Sequence, residues 1–174
     1  MPIVAFLRGV NVGGYRRFRP TALAQELKDY GIVNIGAAGT FVFSNRISQN
    51  RLRSEIMRRL PFEAEVMMCS GRQLIAATSH APFDDKPPAP DIVRFVSVLK
   101  KRPRVSPAPP ILVPENGRWL LQILEIREQF VFGFYRREMK AISCLGSIDK
   151  LFGVPATTRN WTTITAILDV LKKL

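Results

Sequence analysis

The chain has few of the residues that metal centres and disulfide frameworks need. Its 174 residues include two cysteines and one histidine, His80. Cys69 and Cys144 lie in apolar surroundings 75 positions apart, and no Cys-x-x-Cys spacing occurs. A structural zinc site requires four Cys or His ligands, or three with a carboxylate. We therefore expect no metal site, no cofactor and two reduced thiols in the protein interior.

Long apolar runs are also missing. None reaches the roughly 18 residues that a membrane helix requires. The first residues lack a basic leader, and their apolar stretch stops at Arg8, which is not the pattern of a secretory signal. We expect a cytoplasmic protein with no membrane partner.

Positive charge is abundant instead. Lysine and arginine number 26 against 14 acidic residues, which gives a formal net charge of +12, and 18 of the 26 are arginine. The excess is +6 in residues 1–80 and +6 in residues 81–174, so no basic tail exists. Such a charge attracts polyanions, and it also serves solubility alone. Any basic patch must be built by folding.

Hydrophobic periodicity predicts an α+β protein with antiparallel sheets and helices on one face of each. Over residues 1–80 the pattern is β-α-β-β-α-β, the order of a ferredoxin-like or split βαβ subdomain. Residues 81–91 hold four prolines and predict a linker. Residues 92–174 predict a second, less regular α+β subdomain, in which an irregular proline-rich stretch separates a strand from a hairpin and two helices.

Two motifs at opposite ends of the chain carry a resemblance. The run Ala5-Phe6-Leu7-Arg8-Gly9-Val10-Asn11-Val12-Gly13-Gly14 resembles the LRGxNVGG signature of the bacterial family known as domain of unknown function 1697. The run Thr158-Arg159-Asn160-Trp161-Thr162-Thr163 resembles its TRNWxT signature. The chain departs from the family at Ala38-Gly39-Thr40, where a Ser-Gly-Asn element is usual. The resemblance implies two ferredoxin-like subdomains around a less ordered middle, and it implies no assigned activity.

The glycine-rich segment 9–14 follows a predicted strand and precedes a helix, which is where phosphate cradles are built. It is not a Walker A loop, because Tyr15 and Arg16 stand where Lys and Ser/Thr are required. Asn11 likewise breaks the dinucleotide pattern. Arginines flank the segment, so it predicts either a tight turn with solvated arginines or an anion site. The candidate anion-binding residues are Arg8, Gly9, Asn11, Gly13, Gly14, Arg16, Arg17, Arg19, Arg159 and Asn160.

The C-terminal motif has two interpretations as well. A Thr or Asn can cap the last helix while Trp161 packs in the core, and this is the favoured one. Alternatively, Arg159 and Asn160 lie at a helix N-terminus that attracts an anion. We hypothesise that the two motifs converge on one site if their loops fold together.

Other candidates are weaker. The arginines of the second helix (Arg51, Arg53, Arg58 and Arg59) predict a solvated face or a nucleic-acid surface. The alternating aromatics Phe130, Phe132 and Phe134 predict a core face or a base-stacking face. His80 lacks an evident catalytic partner. No nucleophile elbow or paired-acid motif is present, so the catalytic residues, if any, remain unassigned.

The sequence thus favours a non-enzymatic protein that binds nucleic acid or other phosphorylated anions through the Gly/Arg loop. One alternative is a small enzyme acting on a phosphorylated or carboxylated metabolite. Another is a protein-interaction module that forms a homo-oligomer through a sheet.

Overall fold

A computed structural model describes residues 1–11, 14 and 16–174. The chain divides into two compact units, Met1–Ala76 with Thr165–Leu174, and Ala77–Ile164. Each unit contains one antiparallel sheet with helices. The predicted α+β class is therefore confirmed. No helix in the described ranges is long and apolar enough to cross a membrane.

The units differ from the predicted ranges 1–80, 81–91 and 92–174 at the C-terminal end. The last ten residues group with the first unit rather than the second. Leu171 is buried, and its Cδ2 lies 2.8 Å from where a Cβ on Gly71 would stand. This tertiary packing decides the grouping, and sequence proximity cannot reveal it.

The first unit has the predicted β-α-β-β-α-β element order. Its sheet has the strand order β2-β3-β1-β4, and all neighbouring strands are antiparallel. Gly31 ends a short 3-10 turn, Lys28–Tyr30, in the left-handed conformation (φ 63°). Ser48 accepts a hydrogen bond from Arg51 N and so caps α2, as predicted. The elements are β1 (Ile3–Leu7), α1 (Pro20–Glu26), β2 (Ile32–Asn34), β3 (Thr40–Phe43), α2 (Gln49–Arg59), β4 (Val66–Ser70) and α3 (Gly71–Thr78).

The inner strand β1 of the first sheet is buried on both faces. Ile3, Ala5 and Leu7 of β1 join Leu52 and Ile56 of α2 in one core cluster. The intervening residues of the strand are equally inaccessible, because every residue of β1 is buried. A strand buried on both sides is apolar throughout, which explains why β1 shows no alternation in the sequence.

The second unit has the strand order β6-β7-β8-β5-β9, again antiparallel. Its core cluster includes Phe95, Ile123, Val131 and Phe152. The predicted order is a strand, a proline-rich stretch, a hairpin and two helices, and the described chain adds β6 within the proline-rich stretch, α4 after the hairpin and β9 before the last helix. The elements are β5 (Ile92–Leu99), β6 (Ile111–Val113), β7 (Leu121–Arg127), β8 (Phe130–Arg136), α4 (Met139–Leu145), α5 (Ile148–Phe152), β9 (Ala156–Asn160) and α6 (Trp161–Lys172).

A β-bulge in β7 shapes the middle of the second sheet. The register of β7 against β8 shifts between Ile123 and Glu125. Opposite Ile123 lies Gly133, where an added Cβ would stand 2.1 Å from the carbonyl oxygen of Gln122 and 2.9 Å from the Phe95 ring. Glycine is therefore required here by close approach of a neighbouring backbone.

We predict that Gly133→Ala destabilises the protein by about 3 kcal/mol or more, because backbone and an aromatic ring must both move. Gly146→Ala is the matched control. Gly146 has ordinary helical dihedrals, and its nearest clash atom would lie 3.3 Å away. Urea unfolding should separate the two variants. Equal midpoints would show that the sheet accommodates a side chain at position 133.

The thiols differ in accessibility, although the sequence predicts two interior cysteines. Both are free; Cys69 in β4 is buried and Cys144 in α4 is half-buried. Burial raises the pKa of the Cys69 thiol to about 12. At pH 8 its thiolate fraction is then about one in ten thousand, and the thiolate is the reactive form.

We therefore predict that one thiol per chain reacts rapidly with an aromatic disulfide reagent at pH 8, and that the second reacts only after denaturation. Cys144→Ser should abolish the rapid reaction, whereas Cys69→Ala should leave it unchanged. Two rapidly reacting thiols in the folded wild-type protein would contradict this assignment.

Candidate anion-binding site

Four of the described residues in the glycine-rich loop between β1 and α1 have a left-handed backbone conformation. Gly9, Asn11, Gly14 and Arg16 have φ values of 65°, 54°, 78° and 50°. Glycine adopts this conformation freely, and asparagine tolerates it better than most residues do. The predicted tight turn is thus present around these residues. Predicted site residue Gly13 lies outside the described residues, as do Val12 and Tyr15.

Asn11 holds this loop in place. Its side-chain Nδ2 donates to the carbonyl oxygen of Ala37 at 3.0 Å, and its Oδ1 accepts from the backbone N–H of Phe18 at 2.9 Å. Its own backbone N–H donates to the Arg16 carbonyl at 3.2 Å. Since both ends of the amide have protein partners, Asn11 positions the loop rather than presenting an open amide to a ligand.

Two of the predicted arginines are engaged by protein groups. Arg8 makes an ion pair with Glu65 at 3.4 Å, and the backbone N–H of Arg8 donates to the carbonyl of the same residue at 2.9 Å. The Arg16 guanidinium lies 5.9 Å from the centre of the Phe62 ring, within cation–π range. These two side chains anchor the loop to the segment before β4.

Arg17 and Arg19 are different. Both are exposed, and neither side chain forms an ion pair or hydrogen bond with another described residue. The Arg17 guanidinium folds over Gly14, where a Cβ would meet its Nη2 at 2.9 Å. With Asn11 and Phe18 they line an open depression of about 680 Å³, and none of the lining residues described is acidic. Glycine at position 14 thus serves both the turn and the placement of a cation above it.

The C-terminal motif residues occupy β9 and the start of α6, in the second unit. Arg159 is buried, and its guanidinium donates to Thr157 Oγ1 and to the Thr158 carbonyl, both at 2.9 Å. Burial lowers the pKa of Arg159 to about 10, so it remains charged at neutral pH. Asn160 Oδ1 accepts from the backbone N–H of Thr163 at 2.8 Å, which is the geometry of a helix cap. That the two motifs share one site stays a prediction.

The arginines of α2 mostly bind within their own unit. Arg53 donates to the carbonyl of Val66. Arg58 and Arg59 both bind the Glu55 carboxylate. Hydrogen bonds from Arg59 and then from Arg58 hold the pKa of Glu55 below its ordinary value. Arg51 is exposed. This face of the helix is therefore largely neutralised locally.

The hairpin aromatics divide between core and rim. Phe130 and Phe132 are buried, as a core face requires. Phe134 is half-buried, with its ring centre 5.7 Å from that of Phe83. Trp161 is also half-buried and contacts Phe83 edge-on at 5.0 Å, so it packs at the rim rather than deep in the core.

The structure does not place the remaining candidates from the sequence in a site with other described residues. The exposed His80 offers its backbone carbonyl to Arg127 at 2.6 Å. Across the part of the chain that the structure describes, no three Cys, His, Asp or Glu side chains are placed to hold a metal ion.

The second unit contains a cavity that no pattern in the sequence predicts. It has a volume of about 240 Å³ and lies between β5, the end of β8 and the start of α6. Its polar lining comes from Arg94, Tyr135, Arg137, Asn160, Trp161 and Thr162. Only the last three belong to a motif. Arg94 and Tyr135 are single residues of ordinary strands and Arg137 follows the end of β8, so no local signal marks them.

Comparison with known proteins supports the fold and the family. The conserved bacterial protein SP0830 from Streptococcus pneumoniae has a similar structure, with a TM-score of 0.60 over 98% of each chain at 17% sequence identity. At that identity the likeness concerns the fold. No curated protein matches the chain. Residues 1–111 match the family described as protein of unknown function (DUF1697), and the chain belongs to that family.

We predict that Asn11→Ala costs about 2 kcal/mol of stability, because it removes two hydrogen bonds and places alanine at positive φ. Glycine adopts the positive φ of this position without strain, so Asn11→Gly should cost about half as much stability. Urea unfolding measures both. Wild-type stability in the alanine variant would show that the amide does not hold the loop.

Proposed function

We propose that the protein binds phosphorylated anions, with nucleic-acid backbones as the favoured ligand, through Arg17 and Arg19 of the Gly/Arg loop. The observation that supports this is the pair of exposed guanidinium groups beside a depression without acidic lining residues. Arginine binds phosphate oxygens with two parallel hydrogen bonds.

The shape of the depression favours a chain-like ligand over an enclosed metabolite. The loop offers cations on an open surface, and such a surface contacts phosphates along a backbone without reading bases. Binding of this kind is weakly sequence-specific and depends strongly on salt, because each neutralised phosphate releases counterions.

The partnered residues of the loop would have a supporting role. Asn11 and Arg8 already bind Ala37, Phe18 and Glu65, so they hold the backbone that carries Arg17 and Arg19. A rigid loop reduces the ordering that binding requires. The proposal therefore assigns ligand contact to the two exposed arginines and positioning to the rest.

The test is fluorescence anisotropy with labelled single-stranded RNA, single-stranded DNA and duplex DNA across salt concentrations. We predict that Arg17→Gln with Arg19→Gln weakens binding at least tenfold at low salt. It should also lower the slope of log K against log salt by about 1 per arginine.

The matched control is Arg46→Gln with Arg72→Gln, which removes the same charge from two exposed positions of the same unit. It should retain most of the affinity. Equal losses in the two double variants would assign binding to net charge alone. Absence of binding by the wild-type protein at low salt would refute the proposal.

A further inference from the structure

The cavity of the second unit has a lining rich in hydrogen-bond donors. Arg94 and Arg137 are its charged residues, and both are cations. The nearby carboxylate of Asp91 is paired with Arg136 at 3.1 Å. Lysine, arginine and phenol groups donate to anions, and a lining with cations but no carboxylate selects a negatively charged ligand.

Two contacts hold Arg94 in place, and one of its hydrogen-bond donors is unused. One terminal nitrogen of its guanidinium donates to the Lys86 carbonyl, and the group lies 5.7 Å from the centre of the Phe83 ring. Its Nε is buried and has no hydrogen-bond partner among the described residues. A buried unsatisfied donor is costly, so the position of this guanidinium at the cavity wall is maintained against a cost in stability.

Tyr135 and Arg137 add donors on the β8 side. Burial raises the pKa of the Tyr135 phenol, and the positive charge of Arg137 opposes that rise. The phenol therefore stays protonated at neutral pH and keeps its O–H. Arg137 is exposed, so its guanidinium can reach a ligand at the mouth of the cavity.

The third wall is the beginning of α6, a helix of twelve residues. Asn160 caps it through Thr163 N, and Thr162 lines the cavity. The positive end of the helix dipole adds to the field of the two arginines. Trp161 contributes an aromatic side chain that is held against Phe83.

We propose that this cavity binds a small phosphate monoester that carries a planar ring, such as a nucleoside monophosphate. The phosphate would lie against Arg94 and Arg137, and the ring against Trp161 and Tyr135. The volume of about 240 Å³ is below the usual range for larger ligands, so it accommodates a single small molecule rather than a strand. The proposal does not rest on the loop of the first unit, because it uses different residues.

The test is tryptophan fluorescence in a Trp119→Phe background, where Trp161 is the only tryptophan. The probes are AMP, adenosine and inorganic phosphate. AMP should change the emission saturably, and adenosine should bind at least tenfold more weakly. No saturable response to AMP up to about 10 mM, a range that would detect millimolar Kd values, would overturn the proposal. Adenosine binding as tight as that of AMP would overturn it equally.

Two variants assign the phosphate contacts. Arg137→Gln changes an exposed residue and should weaken AMP binding at least tenfold. Arg94→Lys keeps the charge but removes the planar guanidinium that binds two phosphate oxygens at once, and it should weaken binding by a similar factor. Unchanged affinity in both variants, with the fold verified by circular dichroism, would overturn the assignment.

A last pair of measurements separates this site from the Gly/Arg loop. Arg17→Gln with Arg19→Gln should leave AMP affinity unchanged, and a parallel loss would place AMP at the loop and overturn the inference. An oligonucleotide without terminal phosphates should not displace AMP. Displacement by it would show that the cavity takes a nucleic-acid strand, which also contradicts the proposal.

Discussion

An excess of arginine is the constraint on which much of this structure depends. A chain with 18 arginines and 14 carboxylates cannot pair every guanidinium with an acid. The structure uses backbone carbonyls and aromatic rings as well. Arg127 donates to the carbonyls of Ala77 and His80, at 3.0 and 2.6 Å. Arg136 donates to the carbonyl of Trp119 and lies 4.2 Å from its ring centre. Guanidinium groups thus hold segments that lie outside the sheets and have no inter-strand hydrogen bonds.

This use of arginine changes what the net charge means. An arginine that binds a carbonyl still carries its charge, but its hydrogen-bond donors are committed and its side chain is immobile. Arg53 and Arg127 are such residues. Recognition of an anion requires donors that are still available, so the arginines that matter are few. Among the arginines at the two candidate sites, Arg17, Arg19 and Arg137 are exposed without a side-chain partner in the described chain, and Arg94 keeps one unused donor.

The sequence predicts the elements of the first unit well, because each has a strong local signal. β1 is an uninterrupted apolar run, α2 has a serine cap, and Gly31 ends a helical turn. The second unit is harder for physical reasons. β9 is mostly polar and lies at a sheet edge, so it shows no apolar alternation. β6 lies between Pro110 and Pro114 and is also an edge strand, the one position in a sheet that tolerates flanking proline.

The candidate sites show the same division between local and tertiary information. The glycine-rich loop is visible in the sequence because its backbone needs glycine and asparagine at positive φ. The sequence cannot reveal that the Asn11 amide forms hydrogen bonds with Ala37 and Phe18, or that Arg8 binds Glu65. Ala37 and Glu65 are far along the chain from the loop residues that they contact. The second-unit cavity depends wholly on such tertiary placement, because three separate segments supply its lining.

Screening sets the scale on which the remaining cations act. At physiological ionic strength the Debye length is about 8 Å, so exposed charges farther away contribute little. A ligand at the loop therefore responds to Arg17 and Arg19 much more than to the total of +12. A ligand in the second-unit cavity responds to Arg94 and Arg137 with less screening, because partial burial excludes mobile ions. Both proposals therefore depend on the local arrangement of a few guanidinium groups rather than on overall basicity.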